Sequence, residues 1–366
     1  MALNSTTYSG KQFSVYLAVE TTTGTFNNDD ANYHRVDVEG ITLPPFNPQQ
    51  EFEMRTGSSR IAEFDQIFSS TKRVVTEFTL SGRLTQEMWV MMCESATGDE
   101  FDGGTGSDSV LTLGSYQGLN FKVGDDPSGA TDFAYLLSVY FQAPTAADSY
   151  SLKSCTCTNF SIDADMDSAA GRFNYTATFQ TQSTPTKGAV TMTDNAAIGT
   201  NFLYLSNLSQ RNIDVKGTAS ADDITPLFKT FNFAIDCPTQ FLGATGANGE
   251  PEVWAKALPE LSITYGGSVK YDNETDQMVE AFRDAAEDSY LTLYMADVAV
   301  AGTTETPTGV FFGASSTGKF GIWAGKAKLT SCEVSSDDVA MVNFEAKVLA
   351  PSSGNTLHLL GGDNAA

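Results

Sequence analysis

The chain has 366 residues, with 21 basic against 45 acidic side chains and a sequence pI near 4.2. Since binding to nucleic-acid phosphates requires Lys and Arg, this charge balance excludes a protein that binds the phosphate backbone of nucleic acid. Hydrophobic residues make up 41% and charged residues 18%, which excludes an acidic disordered chain. The abundance of Thr, Ser, Gly and Phe predicts a mainly β fold, and the length predicts two domains.

The amino-terminal stretch MALNSTTYSGKQ has neither the basic start nor the apolar run of a signal peptide. No segment approaches the roughly 20 apolar residues that a membrane span needs. The five cysteines contain no CxxC pair. We therefore expect reduced thiols in a protein that is assembled in a cytoplasm and does not associate with a membrane.

The first half opens with a predicted strand at residues 13–19, and a long connection follows at residues 44–73. Connections longer than about 12–15 residues are uncommon in compact domains and are often functional. This one mixes apolar and basic residues. It is either a hairpin folded back on its own sheet or an arm that docks on another subunit, and we favour the arm. The candidate contact residues are Phe46, Phe52, Arg55, Arg60, Phe64 and Phe68.

A strand and a short helix come next, in TEFTLSGRLTQEMWVMMCES. We predict the helix over residues 85–95, with Thr85 as its N-cap. A similar helix follows LSITYGGSVKYDN in the second half, with Asn273 as its N-cap. The faces expected to pack on the sheet hold Trp89 and Met92 in the first helix, and Met278 and Phe282 in the second.

The stretch SIDADMDSAAGRFNYTATFQ joins an acidic run to strict period-two alternation. Its aspartates alternate as the first ligands of a calcium loop do, but such a loop needs Gly at its sixth position and Glu at its twelfth. The sequence has Ser168 and Asn174 there. We interpret the run as the acidic, solvated tip of a β-hairpin over residues 158–182, without a metal. The predicted acidic tips are Asp163, Asp165 and Asp167 in the first half and Asp337 and Asp338 in the second.

The two halves carry the same order of predicted elements: strand, strand, helix, strand and hairpin. FSVYLAV corresponds to NFLYLSNL at residues 201–208, and LTL recurs at residues 111–113 and 291–293. TNFSID and RFNYTATF correspond to TSCEVS and MVNFEAKV, which aligns Phe179 with Val348. We predict a tandem duplication. Its parts would be a first domain at residues 1–185, a linker at residues 186–199 and a second domain at residues 200–366.

No motif in the chain indicates catalysis. His34 and His358 are the only histidines, and they lie in no metal-ligand or nucleophile spacing, so we interpret them as solvated or capping. GDDPSGATD and GATGANGEP lack the lysine and the following helix of a phosphate loop. We expect no catalytic residue, no metal and no cofactor, and therefore a protein that is not an enzyme.

This order of elements resembles the tail-tube proteins of long-tailed bacteriophages, in particular siphophage tube proteins with a tandem duplicated domain. The matching features are the arm at residues 44–73, the helix at residues 85–95, the hairpin at residues 158–182 and a second arm at residues 240–260. The resemblance implies two tandem β-sandwich or half-barrel tube domains, each with one short flanking α-helix. It also implies that the arm contacts the next ring.

The resemblance further implies a structural virion protein that forms a trimeric ring of pseudo-six-fold symmetry and stacks into a hollow tail tube. Its partners would be itself, other tail proteins (tape measure, terminator and baseplate) and viral double-stranded DNA in transit without specific binding. The expected location is the virion tail, after assembly in the host bacterial cytoplasm. Neighbouring subunits would pair the exposed strand edges, and acidic walls would repel DNA within a Debye length of about 8 Å.

Two alternatives remain open at this point. The first is another virion β-sandwich, such as a decoration, baseplate or adhesin module, which would not form a tube. The second is an acidic carbohydrate-binding or hydrolytic sandwich, which would need a pocket with perturbed carboxylates.

Overall fold

A computed structural model gives the fold of the chain, which is mainly β with two α-helices among the residues described. The structure describes residues 12–20, 26–27, 33–42, 48–52, 67–73, 75–97, 108–114, 136–181, 183, 185–188, 201–216, 223–238, 244–245, 251–252, 261–284, 289–297, 320–336, 339–350 and 355–362. The predicted mainly β class is confirmed.

The first half contains eleven strands and one helix in the described part of the chain. They are β1 (Ser14–Val19), β2 (His34–Val36), β3 (Gly40–Ile41), β4 (Pro48–Phe52), β5 (Ile67–Arg73), β6 (Thr76–Arg83), α1 (Gln86–Thr97), β7 (Asp108–Gly114), β8 (Leu137–Gln142), β9 (Tyr150–Asp165), β10 (Asn174–Thr181) and β11 (Thr186–Lys187).

The second half contains ten described strands and the other helix. They are β12 (Gln210–Lys216), β13 (Asp223–Ile224), β14 (Phe228–Asp236), β15 (Ala244–Thr245), β16 (Pro251–Glu252), β17 (Ser262–Lys270), α2 (Asp276–Arg283), β18 (Tyr290–Ala296), β19 (Phe320–Ser335), β20 (Met341–Val348) and β21 (Asn355–Gly362).

One open antiparallel sheet of 17 strands runs through both halves. Its central run has the order β3, β6, β10, β9, β14, β17, β20 and β19. The long strand β9 also pairs with β8 and β11 near its amino end. β4 pairs with β5, and β15 with β16, in two separate two-stranded ribbons.

The two halves repeat one pattern of strand pairing. In the first half β1 pairs with β8, β8 with β9, β9 with β10, and β10 with β6. In the second half β12, β18, β19, β20 and β17 follow each other in the same way. The register shifts fall at matching places too, opposite Leu137 and Val139 on β8 and opposite Leu291 and Leu293 on β18. The order of strand pairing is therefore the same in the two halves, while the tandem duplication and the domain boundary at residues 186–199 stay predictions.

The strand pairing corrects three details of the predicted repeat. The LTL tripeptides are not equivalent, because the counterpart of β18 is β8, while β7 pairs with β21. The segment at residues 201–208 forms a 3₁₀ turn and two isolated bridges, and the counterpart of β1 is β12. In the hairpin, Phe179 corresponds to Ala346 and not to Val348, since each residue directly follows the register shift of its strand.

Helix α1 lies inside the molecule and links the two halves. Ten of its twelve residues are buried, from Gln86 to Thr97. Trp89 packs on Phe160 of β9, Phe233 of β14 and Phe320 of β19, and its indole N–H donates to the carbonyl of Leu360 at 2.9 Å. One continuous hydrophobic cluster therefore contains residues of both halves.

The helix starts test the predicted N-caps. Thr85 accepts a hydrogen bond from the backbone N–H of Met88 at 3.3 Å, so this N-cap is confirmed. The predicted N-cap Asn273 is wrong, because α2 begins at Asp276 with Thr275 as its N-cap, and the side-chain bonds belong to the turn that leads into the helix. The Asp272 side chain accepts from the N–H groups of Glu274 and Thr275, and Thr275 Oγ1 in turn accepts from the Asp272 N–H. This reciprocal arrangement satisfies backbone N–H groups of that turn.

Candidate assembly surface

The central run of strands presents a polar face opposite the core. Along β10, Tyr175, Ala177 and Phe179 are buried while the residues between them are half-buried and polar, as the period-two alternation of a strand dictates. Two neighbouring rows across the sheet show the composition of this face. The first row is Ser81, Thr176, Ser161, Ala234, Thr264 and Lys347, and the second is Thr79, Thr178, Asn159, Asp236 and Ser262.

Hydroxyl and amide groups on this polar face bond to one another across strands. Thr79 Oγ1 and Thr178 Oγ1 lie 3.3 Å apart. Gln180 Nε2 donates to Glu77 Oε2 at 2.9 Å. These short side chains are thus held on the sheet, and they form a low, hydrophilic surface rather than a pocket.

Acidic groups dominate the charge of the polar face. The carboxylates are Glu77, Asp163, Asp165, Asp236, Glu333 and Glu345, against Lys270, Lys328, Lys347 and Arg83. Arg83 is already neutralised, because its Nη2 donates to Asp37 Oδ1 at 2.8 Å and its Nε to Asp37 Oδ2. The Arg83 side-chain hydrogen bond in turn holds the pKa of Asp37 below its ordinary value. Carboxylates therefore outnumber bases on the polar face.

The two halves meet where β14 pairs with β9, along seven residue pairs from Thr230–Asp165 to Asp236–Asn159. We call this pairing the internal junction. Backbone bonds extend it at both ends, from Met166 N to the carbonyl of Lys229 and from Cys237 N to that of Thr158. At the junction Ile162 is only 1% exposed. The polar face continues across it without a break.

The strand that matches β9 in the second half leaves the corresponding edge open. Beyond Ala327, β19 pairs with β20 alone among the strands described. Val334 pairs with Val342 on β20, and its counterpart Ile162 pairs with Tyr175 on β10. Val334 is 44% exposed. The first half has the complementary open edge. Its β3 pairs only with β6 in the described part of the chain, whereas its counterpart β14 pairs with β17 on one side and with β9 on the other.

The predicted acidic tip of the first half lies at the β9–β10 turn. Asp163 and Asp165 belong to β9, and the N–H of Asp167 donates to Asp165 Oδ1 at 2.9 Å. Asp167 also pairs with Lys229 Nζ at 3.3 Å. The described residues contain no cluster of three His, Cys, Asp or Glu side chains that could hold a metal. Asp337 and Asp338 lie outside the residues described.

The far side of this tip is covered, which the sequence interpretation as a solvated turn missed. Leu205 N donates to the carbonyl of Gly171 at 2.7 Å, and Phe173 N donates to that of Leu203. Gly171 has a φ of +71°, and a Cβ there would lie 3.0 Å from Leu205 Cβ. Glycine at this position therefore lets residues 201–208 dock on the turn.

The predicted arm residues are only partly described. Phe52 and Phe68 lie on β4 and β5, in adjacent pairs of the ribbon register. Phe46, Arg55, Arg60 and Phe64 lie outside the described residues. The ribbon is a two-stranded sheet separate from the large one, and the choice between an arm that docks on another subunit and a hairpin folded back on its own sheet stays a prediction.

The residues expected on the helix faces differ in burial. Trp89 and Met92 are fully buried, and so is Met278. Phe282 is 39% exposed, because α2 lies at the surface and buries only Met278 and Ala281. The prediction for His358 is wrong: it is 3% exposed and packs on Trp323, so it is a core histidine. All five cysteines are free and buried, and burial raises the pKa of Cys332 to about 11.

A scan against protein-family models found no match, and a search of curated proteins found none either. Neither described helix has the length and apolar character that crossing a membrane requires.

Proposed function

We propose that this chain is the structural subunit of a bacteriophage tail tube, which forms rings that stack into a hollow conduit for DNA. The observation that carries the proposal is the polar face of the central sheet, which continues unbroken through the internal junction. A tube wall needs such a face, since it must extend from one repeated unit to the next.

Charge supports the assignment of the polar face to the lumen. The chain has a net charge of −24, and carboxylates outnumber the available bases on this face. DNA inside the tube would meet like charge, screened beyond about 8 Å at physiological salt. It would also meet no run of Lys and Arg to release its counterions, so it would pass without being held.

The open edges support self-assembly. An unpaired strand edge is a site for pairing with another chain unless it is covered. Among the strands described, the central run ends in two such edges, β3 in the first half and the carboxyl-terminal part of β19 in the second. Head-to-tail association of identical chains closes into a ring, and stacked rings extend into a tube. On this proposal three chains, each with two repeated units, give a ring of pseudo-six-fold symmetry.

The remaining roles follow from the same proposal. The β4–β5 ribbon, with Phe46, Phe52, Arg55, Arg60, Phe64 and Phe68 in its segment, would contact the next ring. The partners would be the chain itself and other tail proteins, with DNA in transit, and the role would be structural rather than catalytic. The protein would reside in the virion tail after assembly in the host cytoplasm.

Negative-stain electron microscopy of the purified chain tests the proposal. We expect rings or hollow tubes whose formation increases with protein concentration. A chain that stays monomeric at all concentrations contradicts the proposal and favours a decoration, baseplate or adhesin module. Size-exclusion chromatography with light scattering gives the mass of the smallest ring, and a mass three times that of the chain agrees with the trimer.

A further inference from the structure

The internal junction provides a template for a contact between copies. Residues of β9 and β19 correspond with an offset of 172 in residue number. Cys157 and Asn159 flank the register shift of β9, and Leu329 and Ser331 flank that of β19, so the offset is the same on both sides of the shift. The strand β3 pairs with β6 as β14 pairs with β17, with Ile41–Leu80 matching Phe231–Gly267. The two strands of the internal junction therefore each have an unoccupied counterpart.

We propose that β3 of one copy pairs antiparallel with the carboxyl-terminal part of β19 of the next copy, in the register of the internal junction. This inference depends on the proposed self-assembly and names the segments that carry it. In the internal junction Asn232 pairs with Asp163, and the corresponding residues of the proposed contact are Thr42 and Ser335. Likewise Phe231 pairs with Ala164, and the corresponding residues are Ile41 and Ser336.

Exposure of apolar side chains supports this occupant. Ile162 is 1% exposed at the internal junction, while its counterpart Val334 is 44% exposed in the isolated chain. The difference is what a missing neighbouring strand leaves behind. Leu43 of the next copy stands opposite Val334 in the proposed register, so pairing brings an apolar side chain to an apolar gap.

The sequence limits how far the new pairing extends. In this register Pro44 and Pro45 fall opposite Glu333 and Cys332, where the internal junction has Ala234 and Ile235. Proline has no N–H to donate to a neighbouring strand. The contact between copies is therefore shorter than the internal junction. The described strand β3 is only two residues long, and a short edge limits unspecific strand pairing.

Photo-crosslinking between isotopically distinct copies tests the register. The variant Val334→p-benzoylphenylalanine is mixed with heavy-isotope wild-type chain under assembly conditions and irradiated. Trypsin releases residues 36–55 as one peptide, because Arg35 and Arg55 enclose a stretch without Lys or Arg. We expect the heavy form of this peptide joined to residues 329–347. The matched control is Leu349→p-benzoylphenylalanine, at a 48% exposed position beyond the end of β20, which should not capture the heavy 36–55 peptide on its own tryptic peptide, residues 348–366.

The outcomes separate this inference from the proposed function. Capture of the heavy 36–55 peptide from position 334 but not from 349 supports the pairing. If rings or tubes form and position 334 captures a different peptide, or both variants capture this one equally, the pairing is overturned and the conduit stands. If the chain stays monomeric and captures no heavy peptide, both are overturned.

Discussion

Thr158 and Thr330 occupy the same place in two repeated strands. Each is the residue skipped at a register shift, Thr158 between Cys157 and Asn159 and Thr330 between Leu329 and Ser331. Each donates its hydroxyl to the carbonyl of the strand opposite, to Thr178 at 3.3 Å and to Glu345 at 3.1 Å. A bulge that carries the same side-chain bond twice is strong structural evidence for duplication, because bulges are specific features of strand pairs.

The two threonines should differ in their contribution to stability. Thr158→Val should lower the free energy of unfolding by about 1 kcal/mol, since Thr158 is 7% exposed and its bond to Thr178 is shielded from water. Thr330→Val is the matched control, because Thr330 is exposed and its bond exchanges with water. Urea unfolding measures both. Equal losses would show that burial does not set the strength of the two bonds.

Trp89 should be the side chain of α1 on which stability depends most. Trp89→Ala removes a fully buried indole from contact with rings of both halves, and it should cost about 3–5 kcal/mol. Phe282→Ala on α2 should cost less than about 1 kcal/mol, since Phe282 is 39% exposed. Chemical unfolding of the two variants makes the comparison. A small effect of Trp89→Ala would contradict the central position of α1.

Asp37 should stabilise the fold through Arg83. Asp37→Asn removes the charge that Arg83 contacts through Nε and Nη2, and we expect a loss of about 2 kcal/mol at neutral pH. The control Glu39→Gln should change little, because Glu39 is 62% exposed and 3.8 Å from Arg83.

The pH dependence of the Asp37 effect has a defined sign. The Arg83 side-chain bond lowers the folded-state pKa of Asp37, while the unfolded value is about 3.9. The contribution is therefore complete above the unfolded pKa and is lost as the pH falls through the folded one. The difference between wild type and Asp37→Asn should shrink in acid. A difference that grew on acidification would contradict the ion pair.

His358 should make the fold sensitive to mild acid. Burial lowers its pKa to about 4, against about 6.5 in the unfolded chain. Protons then bind the unfolded state first, so stability is complete above the unfolded pKa and falls as the pH drops towards the folded one. The full effect is about 3 kcal/mol. In denaturant titrations between pH 7 and 5, His358→Gln should flatten this slope, and an unchanged slope would assign the effect to other groups.

Removal of the first arm should separate ring formation from stacking. Deleting residues 46–72 removes most of the β4–β5 ribbon, and these two strands pair only with each other among the strands described. We expect a folded chain that still forms rings and no longer forms tubes. Circular dichroism checks the fold and negative-stain images check the assemblies. Long tubes from the deletion variant would show that the arm does not join rings.

The sequence predicted the β class, Thr85 as a cap and the match between TNFSID and TSCEVS, and all three agree with the structure. The second strand of that match was misaligned by two residues. Period-two alternation cannot detect such a shift, because the same face stays buried. The bulge at Thr330 gives the correct register, but bulges have no clear sequence pattern. The LTL match was wrong for a similar reason. A tripeptide of strand-forming residues can occur in any strand, and here it occurs in β7 and β18, which are not counterparts.

The surface features were harder to predict than the strands. Nothing in the residues around Val334 marks an open edge, because edges depend on which strands meet across the halves. The exposure of Phe282 was missed because its apolar spacing fits a buried helix face, while the neighbouring strands leave α2 at the surface. His358 was misplaced because a lone histidine in an alternating strand does not reveal its burial.

The bond between the Trp89 indole and the Leu360 carbonyl has a consequence for synthesis on the ribosome. The helix near the start of the chain is completed by a strand near its end, through this bond and the pairing of β7 with β21. A nascent chain that has not yet emerged as far as Leu360 leaves the indole N–H without that acceptor and β7 without its neighbour. Final packing of the early helix must therefore wait until Leu360 has been translated.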